Sequence, residues 1–151
     1  YRAHRLPLVR LAVLLVGDQA TAEDVVQDAF TAVWRRWSVL DDRSLALPYV
    51  RRAVVNRARS VLRRRRVANA LLPDRQLHED SAEQTVMLAV EHRELLGALH
   101  RLGARQRELL VLRYWSGLSE AEIAETMGIS RGAVKSMAHR ALVALRKRLG
   151  E

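Results

Sequence analysis

The stretch Ser119-Glu-Ala-Glu-Ile-Ala-Glu-Thr-Met-Gly-Ile-Ser-Arg-Gly-Ala-Val-Lys-Ser-Met137 decides how the rest of the chain is read. Ser119 with Glu122 three residues on is the pattern of a capping box, so a helix is predicted to open there. Ala124 is small where two helices cross closely. Gly128, four residues later, can take the positive-φ turn between them. Ile123, Met127, Ile129 and Val134 then supply a wedge of core that fixes the crossing angle. Ser130 can cap the second helix, whose outward face would present Arg131, Lys135, Ser136, His139 and Arg140 to a major groove. Arg and Lys suit guanine edges and phosphates, whereas Ser and His are less selective. A plain three-helix bundle with a basic solvated face is the competing reading, and Ala, Gly and Val at these offsets speak against it. A helix-turn-helix does not name a function by itself, because many regulators share it.

Charge extends the same theme along the chain. The net charge of +9 is unevenly spread. Residues 1–66 hold 14 Arg against 6 acids, residues 67–90 one Arg against 4 acids, and residues 91–151 hold 11 Lys and Arg against 7 acids. Two basic ends around an acidic middle suggest two nucleic-acid-facing modules and a connector, although solvated helix faces could give similar totals. Cysteine is absent, which excludes disulfides, a Cys nucleophile and Cys-based zinc sites. His4, His78, His92, His100 and His139 show neither HxxxH spacing nor an acidic cluster, so no metal site, cofactor or catalytic residue is expected. No apolar run approaches the ~20 residues of a membrane span, and no signal peptide is visible. The chain opens on Tyr1 rather than Met, so residues upstream of it are expected.

Apolar residues recur at helical spacing and strand-like alternation is absent, which makes the chain all-α. A first helix is predicted over about Arg2–Val16, with Leu8, Leu11, Ala12 and Leu15 on one face, ended by Gly17-Asp18. A second opens at Thr21, capped by its hydroxyl with Asp24 three residues on, and buries Val25, Val26, Ala29, Val33 and Trp37. Asp41-Asp42 marks a turn, and Pro48 suits the first turn of a third helix that carries Tyr49, Val50, Ala53, Val54, Val61 and Leu62. From Val67 to about Ala82 periodicity fades around Pro73, the mark of a linker. Helical pattern resumes near Gln84 through Leu95, Leu96, Leu99 and Leu102. Helices over about Arg105–Trp115, Glu120–Met127 and Arg131–Leu149 come next.

Three motifs, in order, carry a family resemblance over nearly the whole chain. Leu109-Leu-Val-Leu-Arg-Tyr-Trp-Ser-Gly-Leu-Ser-Glu-Ala-Glu-Ile-Ala, with Gly128-Ile-Ser-Arg-Gly-Ala-Val-Lys-Ser and Arg140-Ala-Leu, resembles the sigma-4 domain of sigma-70-family factors. Gly17-Asp-Gln-Ala-Thr-Ala-Glu-Asp-Val-Val-Gln-Asp-Ala-Phe-Thr-Ala-Val-Trp is similar to the sigma-2 helix that docks on the polymerase clamp. Pro48-Tyr-Val-Arg-Arg-Ala-Val-Val-Asn-Arg-Ala-Arg-Ser-Val-Leu-Arg-Arg-Arg-Arg resembles the segment that reads the minus-ten element. The chain is thus identified as a member of the ECF (group 4) sigma factors, with wording similar to the SigE-like group. The resemblance implies two small helical domains: sigma-2 over residues 1–66 and sigma-4 with its helix-turn-helix over residues 84–151. An extended acidic linker over residues 67–83 would join them.

The same resemblance implies roles for individual residues. Asp24, Gln27, Asp28 and Phe30 would lie at the clamp contact. Glu23, Asp24 and Asp28 do form an acidic patch on a basic half, which suits a basic partner. The helix dipole offers a second account of Glu23 and Asp24, but a poor one of Asp28. Phe30 and Trp34 can equally be core. Asn56 matches the position that receives an unstacked base, and its amide offers both a donor and an acceptor; a local helix break or cap is the competing account. Tyr49 could stack on a base or pack in the core. Arg57, Arg59, Arg63 and Arg64 would hold phosphates. Two departures stand out. Ser60 replaces the usual Asp, and Met137-Ala138 replace the usual Arg and a bulkier residue.

The function implied is that of a sigma factor, which binds core RNA polymerase at its clamp and flap and directs promoter-specific transcription initiation. It would read the upstream element as duplex and the downstream element as unpaired DNA. The linker acids Asp74, Glu79, Asp80 and Glu83 would thread toward the RNA path. The resemblance further implies a cytoplasmic protein, monomeric when free and without membrane insertion, for which an anti-sigma factor is a candidate partner. A stand-alone, dimeric helix-turn-helix regulator is the rival, and it predicts tight duplex binding at a palindrome without polymerase. A nuclease would need clustered carboxylates or a metal triad, neither of which is visible.

Overall fold

The computed structural model describes residues 2–40, 42–71 and 93–150. The chain divides into two compact units, Tyr1–Thr85 and Val86–Glu151. Among the described residues every regular element is helical: α1 Arg2–Val16, α2 Gln19–Arg35 and α3 Ala46–Leu71 in the first unit, α4 Arg93–His100, α5 Ala104–Leu110, α6 Glu120–Met127 and α7 Arg131–Arg148 in the second. The linker acids Asp74, Glu79, Asp80 and Glu83, and the helical pattern from Gln84 to His92, lie outside the described residues.

In the first unit α1 is wrapped on more sides than a stripe would need. Leu8, Val9 and every residue from Leu11 to Val16 are buried, so the helix forms the centre of a three-helix core. Its partners contribute Ala22, Val25, Val26 and Ala29 from α2 and Val50, Val54, Val55 and Ala58 from α3. Small residues at Ala22, Ala29 and Ala58 leave room for the helices to pack closely, and buried Val and Leu side chains fill the rest of the core.

The start of α2 differs from the sequence reading. Asp18, in extended conformation, is the N-cap, and its Oδ1 accepts from the Thr21 amide at 2.8 Å. Thr21 sits inside the helix. Asp is at least as good a cap as Thr, and placing the cap at Asp18 frees the Thr21 hydroxyl for another partner. Val33 and Trp37 are only half-buried, because the α-helix ends at Arg35 and Trp37 opens a short 3-10 turn to Val39. A second 3-10 turn, Arg43–Leu45, is capped by Asp42 and leads into α3, where Pro48 falls in the first turn as expected. Residues 67–71, read from sequence as the start of the linker, continue α3. Periodicity fades there because Val67 and Leu71 are exposed, while Ala and Leu sustain the helix through intrinsic preference.

The second unit is built on Leu96, Ala98, Leu99, Leu102, Leu109–Leu112, Leu118, Ile123, Met127, Val134, Ala138 and Ala141. The helix predicted to reach Trp115 is α-helical only to Leu110. Residues Val111–Trp115 form a π-helical turn, closed by the Ser116 amide on the Val111 carbonyl at 3.1 Å. Arg105 ties α5 to α6: one guanidinium nitrogen meets Glu108 Oε2 at 3.1 Å and the other donates to the Met127 carbonyl at 3.0 Å. A cation at the last carbonyls of α6 is favoured by the partial negative charge of that helix end.

Candidate nucleic-acid interface

In the second unit the predicted capping geometry is present. The Glu122 amide donates to Ser119 Oγ at 3.1 Å, and the Ser119 amide donates to Glu122 Oε1 at 3.0 Å. Gly128 ends α6 at φ 69, ψ 36, and the next amide, Ile129, returns to the Ala124 carbonyl at 3.0 Å. A side chain at that φ would meet its own backbone, so the glycine fixes the turn. Ser130 Oγ accepts from the Ala133 amide at 3.1 Å and starts α7. Ile123, Met127 and Val134 are buried and Ile129 is half-buried, so the wedge that sets the crossing angle is built.

Arg131, Lys135, Ser136, His139 and Arg140 all stand exposed on α7. They lie on the i, i+4 ridges of one face, opposite Val134, Ala138 and Ala141. Ala138, at 4% exposure, points into the core. Its departure from the family pattern therefore concerns packing rather than the outward face, while Met137 is half-buried at the edge. Lys135 Nζ lies 3.9 Å from Glu120 Oε2, a loose surface pair worth little against a phosphate.

In the first unit α3 runs unbroken past Asn56, which is exposed; neither a helix break nor a cap accounts for it. Its Oδ1 accepts from Arg59 Nη1 at 3.2 Å. Tyr49 is 44% exposed and therefore a surface residue. Tyr49, Asn56 and Arg63 recur every two helical turns, so they line one face at intervals of about 10.5 Å. Arg64 is exposed as well, and Arg57 and Arg59 are half-buried.

On α2, Asp24, Gln27 and Asp28 are exposed and Phe30 is half-buried. Trp34, for which a core position was one expectation, is 74% exposed. It stacks on Trp37 with ring centroids 6.4 Å apart, and the Arg43 guanidinium lies 5.3 Å from the Trp37 centroid. Sequence reasoning missed this shelf because Trp34 has the spacing of a core position.

Sequence reasoning also missed Arg65. It reads as one more member of the run Arg63-Arg64-Arg65-Arg66, yet its guanidinium turns back onto the α1–α2 junction. Nη1 donates to the Val16 carbonyl at 2.6 Å, and Nη2 to Asp18 Oδ2 at 2.7 Å and Thr21 Oγ1 at 3.0 Å. Burial pushes the Asp18 carboxyl up, but hydrogen bonds from Thr21 and Arg65, with the guanidinium's charge, outweigh it and hold the group below its ordinary value. Among the described residues no cluster of three His, Asp or Glu could hold a metal ion. No described helix is long and apolar enough to cross a membrane.

Comparison with known proteins respects the same division. Residues 1–68 match the family model for sigma-70 region 2, and residues 92–145 that for sigma-70 region 4. The chain is 34% identical over 148 residues to the RNA polymerase sigma-E factor of Streptomyces coelicolor, covering 98% of this chain and 82% of that protein. It is 33% identical over 156 residues to the ECF RNA polymerase sigma factor SigL of Mycobacterium tuberculosis, covering all of this chain and 87% of that protein. In fold it is similar to the sigma factor RpoE of Bartonella quintana, solved with the anti-sigma factor NepR. The TM-score is 0.76 at 23% identity, over 97% of this chain and 91% of that one.

Proposed function

The chain belongs to the sigma-70 family of RNA polymerase sigma factors, in its ECF branch, and on that premise we propose how its two units divide the work. It is a sigma factor: it binds core RNA polymerase and directs promoter-specific transcription initiation. The finer assignments are our reading. The second unit lays α7 in the major groove of the upstream element and reads it with Arg131, Lys135, Ser136, His139 and Arg140. The first unit receives an unpaired base of the downstream element at Asn56, with Tyr49 to stack and Arg57, Arg59, Arg63 and Arg64 on phosphates. Asp24, Gln27, Asp28 and Phe30 meet a basic surface of the polymerase clamp, and the second unit engages the flap.

Residues 67–83 serve as the acidic connector, and the chain works in the cytoplasm, where the polymerase is. No catalysis is assigned to it, since sigma factors are not enzymes. An anti-sigma factor is a further partner, supported by the complex in which the RpoE relative was solved.

The observation that carries this reading is the exposed basic face of α7, set by a capping box and a left-handed glycine on the unit that matches sigma-70 region 4. Transcription in vitro with purified core polymerase on a pool of genomic promoter fragments tests it. Defined start sites should appear only when the chain is present. If instead the chain alone blocks transcription by another sigma factor at palindromic sites, the stand-alone regulator is the right reading.

A further inference from the structure

Asp24 and Asp28, assigned to polymerase, and Arg57, Arg63 and Arg64, assigned to phosphates, do not occupy separate surfaces. They line one groove of about 730 Å³ between α2 and α3, together with Ser60. No ion pair joins these carboxylates to these guanidinium groups among the described residues. Ser60 leaves these arginines without an acidic partner on their own helix. It lies three or four residues from Arg57, Arg63 and Arg64, the spacing at which an Asp would pair with them. Its hydroxyl instead donates to the Asn56 carbonyl at 3.3 Å.

A phosphate approaching those arginines therefore meets two uncompensated carboxylates across the same groove. Across an open, water-filled groove, where the effective dielectric lies between the surface value and that of water, each carboxylate weakens a phosphate contact roughly three- to tenfold at low salt. A cation docked on Asp24 and Asp28 removes that penalty. We propose that this groove couples the two contacts electrostatically: Asp24 and Asp28 hold the arginine wall against phosphate until basic groups of the polymerase neutralise them. This rests on reading α2 as the polymerase-docking helix and α3 as the DNA-facing one. It adds a second role for the two carboxylates, as discriminators against DNA met too early.

The test uses the full chain without polymerase and a fluorescently labelled single-stranded oligonucleotide. Asp28→Asn should tighten binding about three- to tenfold at low salt, and Asp24→Asn should do the same. The gain should shrink as salt rises. Glu23→Gln makes the same charge change outside the groove, where Glu23 accepts from Gln19 at 3.0 Å, and should gain less than twofold. Adding Arg64→Ala to Asp28→Asn should cancel the gain. If Glu23→Gln matches Asp28→Asn, net charge is the whole effect and the proposal is overturned; an absent gain in both Asn variants overturns it equally. Co-purification of the Asp24→Lys, Asp28→Lys double variant with core polymerase separates the two ideas. Surviving association refutes the docking assignment itself. Lost association with no gain in the Asn variants refutes the coupling alone.

Discussion

Arg65 shows what a single side chain can hold together. Its partners lie 44 to 49 residues away, so nothing local in the sequence separates it from the arginines on either side. Arg65→Met should remove those hydrogen bonds and leave the Val16 carbonyl and Asp18 short of a donor. A loss of about 1–3 kcal/mol is expected in urea unfolding of the intact chain. The pH dependence has a definite sign. Asp18 is held below its ordinary value of 3.8, so the stability it contributes is complete above that value and drains away as pH falls through the lower native one. The gap between wild type and Arg65→Met should therefore be widest near neutrality and should narrow in acid. A gap that widened in acid would contradict this account. Asn56 is the opposite case: its proposed role rests on resemblance, and the structure bears only on the competing helix break or cap, which the continuous α3 removes. Asn56→Ala should leave the melting temperature unchanged or slightly raised, since Ala is the better helix former. It should slow open-complex formation on duplex promoters more than on templates already melted around the start site. The salt slope of holoenzyme binding should hold for Asn56→Ala and fall by roughly 0.7 to 0.9 for Arg63→Ala. Permanganate reactivity of unpaired thymines on the two templates checks the first effect, and a salt titration the second.

Among elements, α6 and α7 were legible because their signals are local. A cap three residues from its acceptor and a glycine at a helix end do not depend on the rest of the chain. Gly128→Ala should therefore cost about 1–2 kcal/mol, the penalty of a Cβ in the left-handed region, and should tilt α7 away from its groove. Binding at the upstream element should weaken while capture of unpaired downstream DNA is kept, measured on holoenzyme with each element scrambled in turn. The start of α2 was misread because Thr21-Ala-Glu-Asp24 satisfies the same local template as a true cap. Asp18 prevails because its second carboxylate oxygen also meets Arg65, a tertiary contact. The overrun of α3 to Leu71 escaped a reading based on periodicity, since Val67, Ala68, Ala70 and Leu71 are exposed there and display no buried stripe. The π-helical turn at Val111–Trp115 had no signature at all, yet Tyr114 and Trp115 within it stand exposed.

At the scale of the whole molecule, two small units carry the two matched regions of the sigma-70 family, and on the proposed reading each meets one promoter element. Each presents a modest basic face, so neither should hold DNA tightly alone; joining them on polymerase adds both contacts at high effective concentration. A gel shift with the free, intact chain should show only weak, salt-sensitive duplex binding, and specific nanomolar retention would speak for the stand-alone regulator. The composition carried this two-module plan in its basic ends, but it could not say which arginines turn inward or which tryptophans turn outward. Those tryptophans make the molecule self-reporting. The chain has three, with Trp34 and Trp37 stacked at the surface of one unit and Trp115 half in water on the other. Indole emission moves to the blue when the ring leaves water, so burial of either unit's surface carries its own optical signature. With Trp115→Phe the glow belongs to the first unit alone; with Trp34 and Trp37 replaced by Phe it belongs to the second. The order in which the two halves are covered during assembly can then be watched in real time, with no dye attached to the protein.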